Sequence, residues 1–473
     1  SHHSFISPKS TLLFDLGTTF YYNPASTNKD LIALQDASST LCLDGCTLQV
    51  THTGLRLTKG RLWLDNAITF TSPHTETSPY VQDTTFSYSQ NFGERGYSVA
   101  WSPDGNYLAV GGYTPTDGNE IQVFSFNGSA LTKITAACQN FGSTLSYVYS
   151  VAWSPDGNYL AVGGDTPTDG NEIQVFSFNG SSTTKITTAC KDFGSRAYSV
   201  AWSPDGNYLA VGGYAPTDGT NEIQVFSFNG SSITKITNAC KDFGTLAYSV
   251  AWSPDGNYLA VGGYEPTDGN EIQVFSFNGS STTKITAACQ NFGFYVYSVA
   301  WSPDGNYLAV GGVVPTDGKE IQVFSFNGSS TTKITAACQD FGTRGHSVAW
   351  SPDGNYLAVG GFGPTDGTNE LQVFSFNGSS TTKITAACQN FGDTAYSVAW
   401  SPDGNHLAVC GTEPDAGLNE IDIFSVDYDT SYRSQASSII FGNSALGSSY
   451  DLDVHVLGGA TINQTGYVVF DEA

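Results

Sequence analysis

Seven near-identical copies of one sentence, Y-S-V-A-W-S-P-D-G-N-Y-L-A-V-G-G or a close variant, fill the middle of this chain. Their tryptophans are Trp101, Trp153, Trp202, Trp252, Trp301, Trp350 and Trp400, at spacings of 52, 49, 50, 49, 49 and 50 residues. Self-similarity at such a period restricts the fold to propellers and solenoids. It also makes the chain its own comparison set, since any departure in one copy can be measured against the other six.

Each copy holds four strand-like runs. S-V-A-W-S leads through P-D-G-N into Y-L-A-V-G-G; a loop with P-T-D-G then precedes E-I-Q-V-F-S-F, and Asn-Gly precedes a Thr-rich run ending in K-I-T-A-A-C. Asp-Gly and Asn-Gly are the strongest short-range hairpin signals, because both residues tolerate positive φ. Four antiparallel strands repeated seven times predict an all-β, seven-bladed β-propeller over residues 84–427. Residues 84–93 match the fourth strand of a copy, with Ser89 in place of its cysteine, whereas the last copy stops after three strands at Val426. The early strand is therefore expected to complete the last blade and close the ring, which removes the exposed sheet edges.

The array at V-A-W-S-P-D-G-N-Y-L-A-V-G-G resembles the WD-repeat propellers. It departs from them in having Phe-Gly (Phe92–Gly93) for the family's Gly-His and Phe-Ser (Phe124–Ser125) for its Trp-Asp, so the His/Trp hydrogen-bonded tetrad cannot form. The resemblance implies a rigid interaction platform without catalysis, and the fold does not specify the ligand.

The copies disagree in two places, after each Phe-Gly and before each loop proline. In a four-stranded blade both loops emerge on one face, and varied loops on a rigid scaffold are how binding surfaces are built. The expected binding positions are Arg95, Tyr113, Tyr147, Arg196, Tyr214, Leu246, Tyr264, Phe294, Tyr295, Val313, Val314, Arg344 and Phe362. The best patch is Phe294, Tyr295 and Val296 with Val313 and Val314. Against this stands the plain fact that loops tolerate change, while P-D-G-N and F-N-G-S are held by turn chemistry.

Other motifs carry less. Asn-Gly-Ser at Asn127, Asn179, Asn229, Asn278, Asn327 and Asn377, and Asn-Gln-Thr at Asn463, are formal N-glycosylation acceptors. The first six are also hairpin turns, and the two roles are compatible. Cysteines recur at Cys138, Cys190, Cys240, Cys289, Cys338 and Cys388, too far apart on equivalent strands to pair, and read as buried thiols. Pairing of Cys42 with Cys46 is left open. No histidine recurs beside the cysteines, and T-D-G-N-E lacks the ligand spacing of a calcium loop, so neither metal nor cofactor is expected. No nucleophile–base set stands out, so the chain is not expected to be an enzyme. A net charge of −25 disfavours nucleic acid, and no run approaches the length needed to span a membrane.

Residues 1–83 and 428–473 differ in kind. L-L-F-D-L-G-T-T-F (Leu12 to Phe20) recurs as L-C-L-D-G-C-T-L (Leu41 to Leu48) and L-W-L-D-N-A-I-T-F (Leu62 to Phe70), with a partial copy V-V-F-D-E-A at the end. The phrase resembles the repeats of large bacterial surface β-solenoid proteins; a β-sandwich is the alternative. A host domain of this kind, interrupted by the propeller, is expected to self-associate head-to-tail. The chain, which contains no methionine, reads as a processed extracellular or cell-surface protein: a filament subunit displaying the propeller, or alternatively an adhesin or lectin-like binder of glycan or protein.

Overall fold

The computed structural model describes residues 86–412 and 419–426, with only the backbone at 86–88 and 143–145, and the backbone of strands between 4 and 71 and between 438 and 470. The chain forms two compact units, Val81–Asp427 and Ser1–Tyr80 with Tyr428–Ala473.

In the first unit, Gly93–Trp101, Tyr107–Pro115, Ile121–Phe126 and Leu131–Lys133 pair antiparallel in that order as blade 1. Five further blades repeat the pattern. Blade 7 consists of Thr394–Trp400, His406–Thr412 and Ile421–Ser425, completed by Phe86–Gln90 running antiparallel with Ser89 opposite Asp422. The ring is thus closed by the strand that precedes the first repeat, as expected. First strands of successive blades contact one another around the whole circle, which makes them the inner strands.

The sequence explains why blades stack. Leu108, Ala109 and Val110 are consecutive and all fully buried, because a blade is covered on both faces by its neighbours. Ala109, Ile121 and Val123 of blade 1 pack with Val148, Trp153 and Leu160 of blade 2. Full burial of each large apolar side chain contributes about 1.5–3 kcal/mol, so apolar packing dominates every seam. Polar ties then set the register between blades. Trp153 Nε1 donates to Ala100 O at 3.2 Å, and Val151 N donates to Ser98 Oγ at 3.1 Å. The closing seam repeats both, from Trp101 to Ala399 and from Val99 to Ser397. A buried glutamate adds a third tie: Glu120 Oε2 accepts from Phe141 N at 2.8 Å, and Glu420 Oε2 accepts from Phe92 N across the closure.

The fourth strand is shorter than the Thr-rich run suggests. It ends at Lys133, and a 3-10 turn at Thr135–Ala137 precedes a lone bridge between Ile121 and Gln139. The turn brings Ile134 against the core of the next blade.

The second unit is built from parallel pairs. Thr11–Phe14, Thr40–Asp44, Lys59–Asp65 and Asp451–Val456 form one sheet, and Thr19–Tyr22, Thr47–Val50, Ala67–Thr71 and Thr461–Gln464 another. Leu12, Leu41, Leu62 and Val454 are successive register partners, so the recurring phrase aligns with itself. Its final partial copy does not join them. Tyr467–Phe470 pairs with Ser438–Phe441 and, beyond that, Leu55–Leu57, because each pass of chain adds one strand per stack and Asp451–Val456 already holds the phrase's place. Cys46 and the side chains of Cys42 and Asn463 lie outside the described residues.

Candidate recognition face

Every first strand carries a β-bulge at the same point. The ladder shifts between Gly96 and Ser98 in blade 1 and at the matching step in the other six. The skipped residues are Tyr97, Tyr149, Tyr198, Tyr248, Tyr297, His346 and Tyr396. A bulge re-aims the side chain it releases. Here each ring meets the next, with centroids 5.7, 5.0, 4.9, 5.4, 5.0 and 5.2 Å apart and a closing contact of 5.1 Å. These separations suit favourable aromatic pairs. Burial pushes the hydroxyls of Tyr97, Tyr149 and Tyr248 upward in pKa, and burial with the Arg344 charge pushes His346 down to about 4, so His346 is neutral at pH 7.

The variable positions stand just outside this ring. Arg95, Tyr147, Arg196, Leu246, Tyr295 and Arg344 each precede a bulged aromatic by two residues, and within their blades they face Tyr113, Asp165, Tyr214, Tyr264, Val313 and Phe362. Tyr113 also bridges to Tyr147, Asp165 to Arg196, and Tyr214 to Leu246 across blade seams. The expected binding residues are therefore brought together as one band around the mouth of the ring.

Within that band the side chains differ in how far they satisfy one another. Tyr113 stacks on Tyr147 at 4.3 Å, and Arg196 pairs with Asp165 at 2.9 Å while donating to the Tyr198 hydroxyl at 3.1 Å. Arg95 lies 3.9 Å from Glu94. Tyr264 stacks on Tyr295 at 4.1 Å, and the Glu265 carboxylate accepting from its hydroxyl pushes Tyr264 up to about 12. Arg344 lies 5.9 Å over the Phe362 ring.

The large apolar side chains left exposed among the described residues are Tyr214 at 38%, Phe294 at 41%, Val314 at 65% and Phe362 at 36%. All four were expected binding positions. Tyr147 and Tyr295 are half-buried by their stacking. One member of the expected patch is corrected: Val296 is fully buried, as is Val148. Their variation is a packing matter, since Val148 fills space opposite Gly111 and Val296 opposite Gly262. Where the first glycine of the pair becomes Cys410, the facing residue is Gly96. Variation after each Phe-Gly thus mixes surface chemistry with volume matching inside the seam.

In blades 1–5 the residue before the loop proline carries backbone strain. Thr114, Thr166, Ala215, Glu265 and Val314 have φ between 47° and 53°, and Gly363 occupies the same place at 59°. For a β-branched residue this region is a genuine outlier, and such strain concentrates at functional sites.

The repeated acids are absorbed by structure. Asp117 pairs with Lys133 at 2.5 Å, and the equivalents recur in blades 2–6, while the glutamates hold backbone N–H groups. No cluster suited to a metal occurs among the described residues. The six recurring cysteines and Cys410 are free and buried, with thiol pKa values raised by burial. At the opposite end of the blades, Asn127, Asn179, Asn229, Asn278, Asn327 and Asn377 are exposed at hairpin tips, and Asn127 Oδ1 accepts from Ser129 N at 2.9 Å.

The aromatic ring is not marked in the sequence, because a tyrosine shared by six of the seven copies reads as framework. Strand parity gives no sign of it, since plain alternation sets Tyr97 on the same face as Val99 and Trp101, and only the partner strand's register shows the skip.

Comparison with known proteins agrees with this architecture. The profile of the ELP1 first N-terminal beta-propeller matches residues 66–231 and, in a second placement, 181–327. That of eukaryotic translation initiation factor eIF2A matches residues 291–438. The chain belongs to the WD-repeat-like β-propellers. No curated protein matches it in sequence. Among solved structures, the Cps50 (Swd1) β-propeller domain of Myceliophteria thermophila is similar, with 14% identity, TM-score 0.50, and coverage of 72% of this chain and 99% of that one. A chain of the mitotic checkpoint complex gives 22%, 0.53, 75% and 99%. A Bacteroides uniformis protein provisionally assigned as a 6-phosphogluconolactonase gives 16%, 0.51, 68% and 97%. At such identities these likenesses concern the fold alone.

Proposed function

We propose that the propeller is a non-enzymatic recognition module that binds glycan or protein through the variable band around its aromatic mouth. The observation that carries this reading is that, among the described residues, every exposed large apolar side chain stands at a position where the copies differ. Exposed clusters rich in aromatic residues and arginine mark interaction surfaces. All three arginines of residues 81–427 lie in the band, at equivalent positions. The test is a binding screen of the full chain against glycan and surface-protein arrays, repeated with Tyr295→Glu and Val313→Glu. Ligands retained unchanged by both variants would place recognition elsewhere.

The second unit supports a further reading: secreted assembly. In its parallel sheets Thr11–Phe14 and Asp451–Val456 are edge strands among the described residues, and such edges accept another chain. We propose that this unit is a β-solenoid that stacks head-to-tail into an extracellular filament carrying the propellers. Electron microscopy of native material tests it; a monodisperse monomer at high concentration argues against it.

A further inference from the structure

We infer that the recognition site is confined to blades 5 and 6, and that its partner is a protein segment presenting an apolar side chain next to a carboxylate. This rests on the variable band being the recognition face. It asks which arc of that band is left unsatisfied.

The arc of blades 1–3 is largely occupied with itself. Tyr113 and Tyr147 cover one another, Arg196 is neutralised by Asp165, and Arg95 has Glu94 beside it. The arc of blades 5 and 6 is different. Phe294, Val314 and Phe362 are exposed there, three of the four large apolar side chains so placed. Val314 is also held at φ 53°, a conformation costly to a β-branched residue. The second strand of blade 5, which ends at Val313, lies against the first strand of blade 6, which carries Arg344. Arg344 is exposed, and among the described residues no carboxylate lies within ion-pairing distance of it. Its Cζ lies 5.9 Å over the Phe362 ring and its charge acts on His346, and among the described residues no hydrogen bond engages its guanidinium donors.

An apolar surface with one uncompensated, planar, five-donor cation fits an apolar anchor beside a carboxylate, which can take the guanidinium bidentately. A neutral sugar would leave that charge unmatched. An aromatic and arginine composition without lysine is also that of hot spots in protein interfaces.

The probe is a set of dodecapeptides combining Leu or Phe with Glu at varied spacing, with matched sets carrying Gln or Lys for Glu, measured against the immobilised full chain. Glu peptides are expected to bind about tenfold or more tightly than their Gln counterparts. Arg344→Glu should abolish that binding and transfer preference to the Lys set, a gain that misfolding cannot produce. Val314→Gly should weaken binding by about fivefold with the thermal transition retained. Equal binding of the Gln set, indifference to Arg344→Glu, or no peptide binding at all would overturn the proposal. Loss on Arg196→Glu or Tyr214→Glu alone would overturn the placement in blades 5 and 6 and leave the recognition face standing. Binding of neutral oligosaccharides only, or self-association abolished by Arg344→Glu, would assign the surface to a sugar or a second copy and overturn the protein partner.

Discussion

The two ends of the propeller's strands are built from loops of similar length, yet their side chains are spent differently. At the P-D-G-N end, Asp104 accepts from Ser102 Oγ at 2.5 Å, from Asn106 N at 3.0 Å and from Asn106 Nδ2 at 2.8 Å, and the remaining blades repeat this set. The turn consumes the hydrogen-bonding capacity of the residues that form it, so repetition at that end follows from backbone need alone. At the mouth the loops are fixed by the residues from the proline onward, through the bonds from Thr116 N to Phe92 O and Gly118 N to Pro115 O and through Asp117, which accepts from Asn119 N and pairs with Lys133. The side chains before them carry no turn duty and are free to differ. Invariance at one end therefore says little about ligands, whereas difference at the other has two causes that burial separates: volume matching at Val148 or Gly96, and surface chemistry at Phe294 or Phe362.

The largest expected effect lies in the framework between the two ends. Trp202→Ala removes a buried ring, its edge-on contact with Phe228 at 5.0 Å and the bond to Ala152 O, and should cost about 3–5 kcal/mol in denaturant unfolding. Tyr214→Ser on the rim should change stability by no more than about 0.5 kcal/mol. Comparable losses would mean that the rim is part of the fold.

Next comes the closing seam, where blade 7 departs from the rest. Six blades have a buried glutamine where blade 7 has Asp422, and a cysteine where it has Ser89. Burial, with Glu420 nearby, raises Asp422 to about 6 despite the bond from Ser89, and one of its oxygens is left without a partner. A carboxyl raised in the folded state favours folding when protonated. Its contribution is complete below its unfolded value near 4 and is lost as pH rises through about 6. Asp422→Gln should therefore stabilise the ring at pH 8, by up to about 3 kcal/mol, and have little effect at pH 4. A pH-independent difference would rule out this seam as the titrating one. His346 acts in the opposite sense. Its folded value near 4 means stability is complete above 6.5 and falls as pH drops from there toward 4. His346→Tyr restores the repeat residue and should remove about 2–3 kcal/mol of that acid-side loss, read as a flatter profile of transition temperature against pH.

Much of this was legible in the letters, and the reasons are local. Blade number, strand order and ring closure follow from a period and from turn dipeptides whose backbone preferences are intrinsic to Asn-Gly and Asp-Gly. The band of variable residues followed from hairpin geometry. The bulge at Tyr97 did not, since nothing in Y-S-V distinguishes a skipped residue from a paired one until the partner strand fixes the register. Nor did the burial of Val296, because a loop-flanking valine looks the same whether it meets water or a glycine of the next blade. The sheet joined by Tyr467–Phe470 depended on how many strands each pass of chain deposits, which a single phrase does not encode.

The smallest effect is the most discriminating, because both ends of the blades demand the same backbone conformation and answer it differently. At the P-D-G-N end the left-handed position is glycine in every blade, with Gly305 at φ 72°. At the mouth the turn glycine recurs as well, with Gly118 at φ 75° and equivalents in blades 2–6, but a second left-handed position before the proline is held by Thr114, Thr166, Ala215, Glu265 and Val314 and, among the described residues, by glycine only at Gly363. If backbone conformation were the sole requirement before the proline, glycine would serve there too. A side chain kept at a cost of about 1–3 kcal/mol in strain implies a use for that side chain. Val314→Gly should accordingly stabilise the fold by about 0.5–1 kcal/mol, the relief of strain outweighing the added freedom of the unfolded chain. Gly305→Ala, imposing a side chain on the equivalent conformation at the other end, should destabilise by about 1 kcal/mol. Equal and same-sign changes in chemical unfolding would mean that Val314 relaxes without strain, and its retention would then say nothing about recognition.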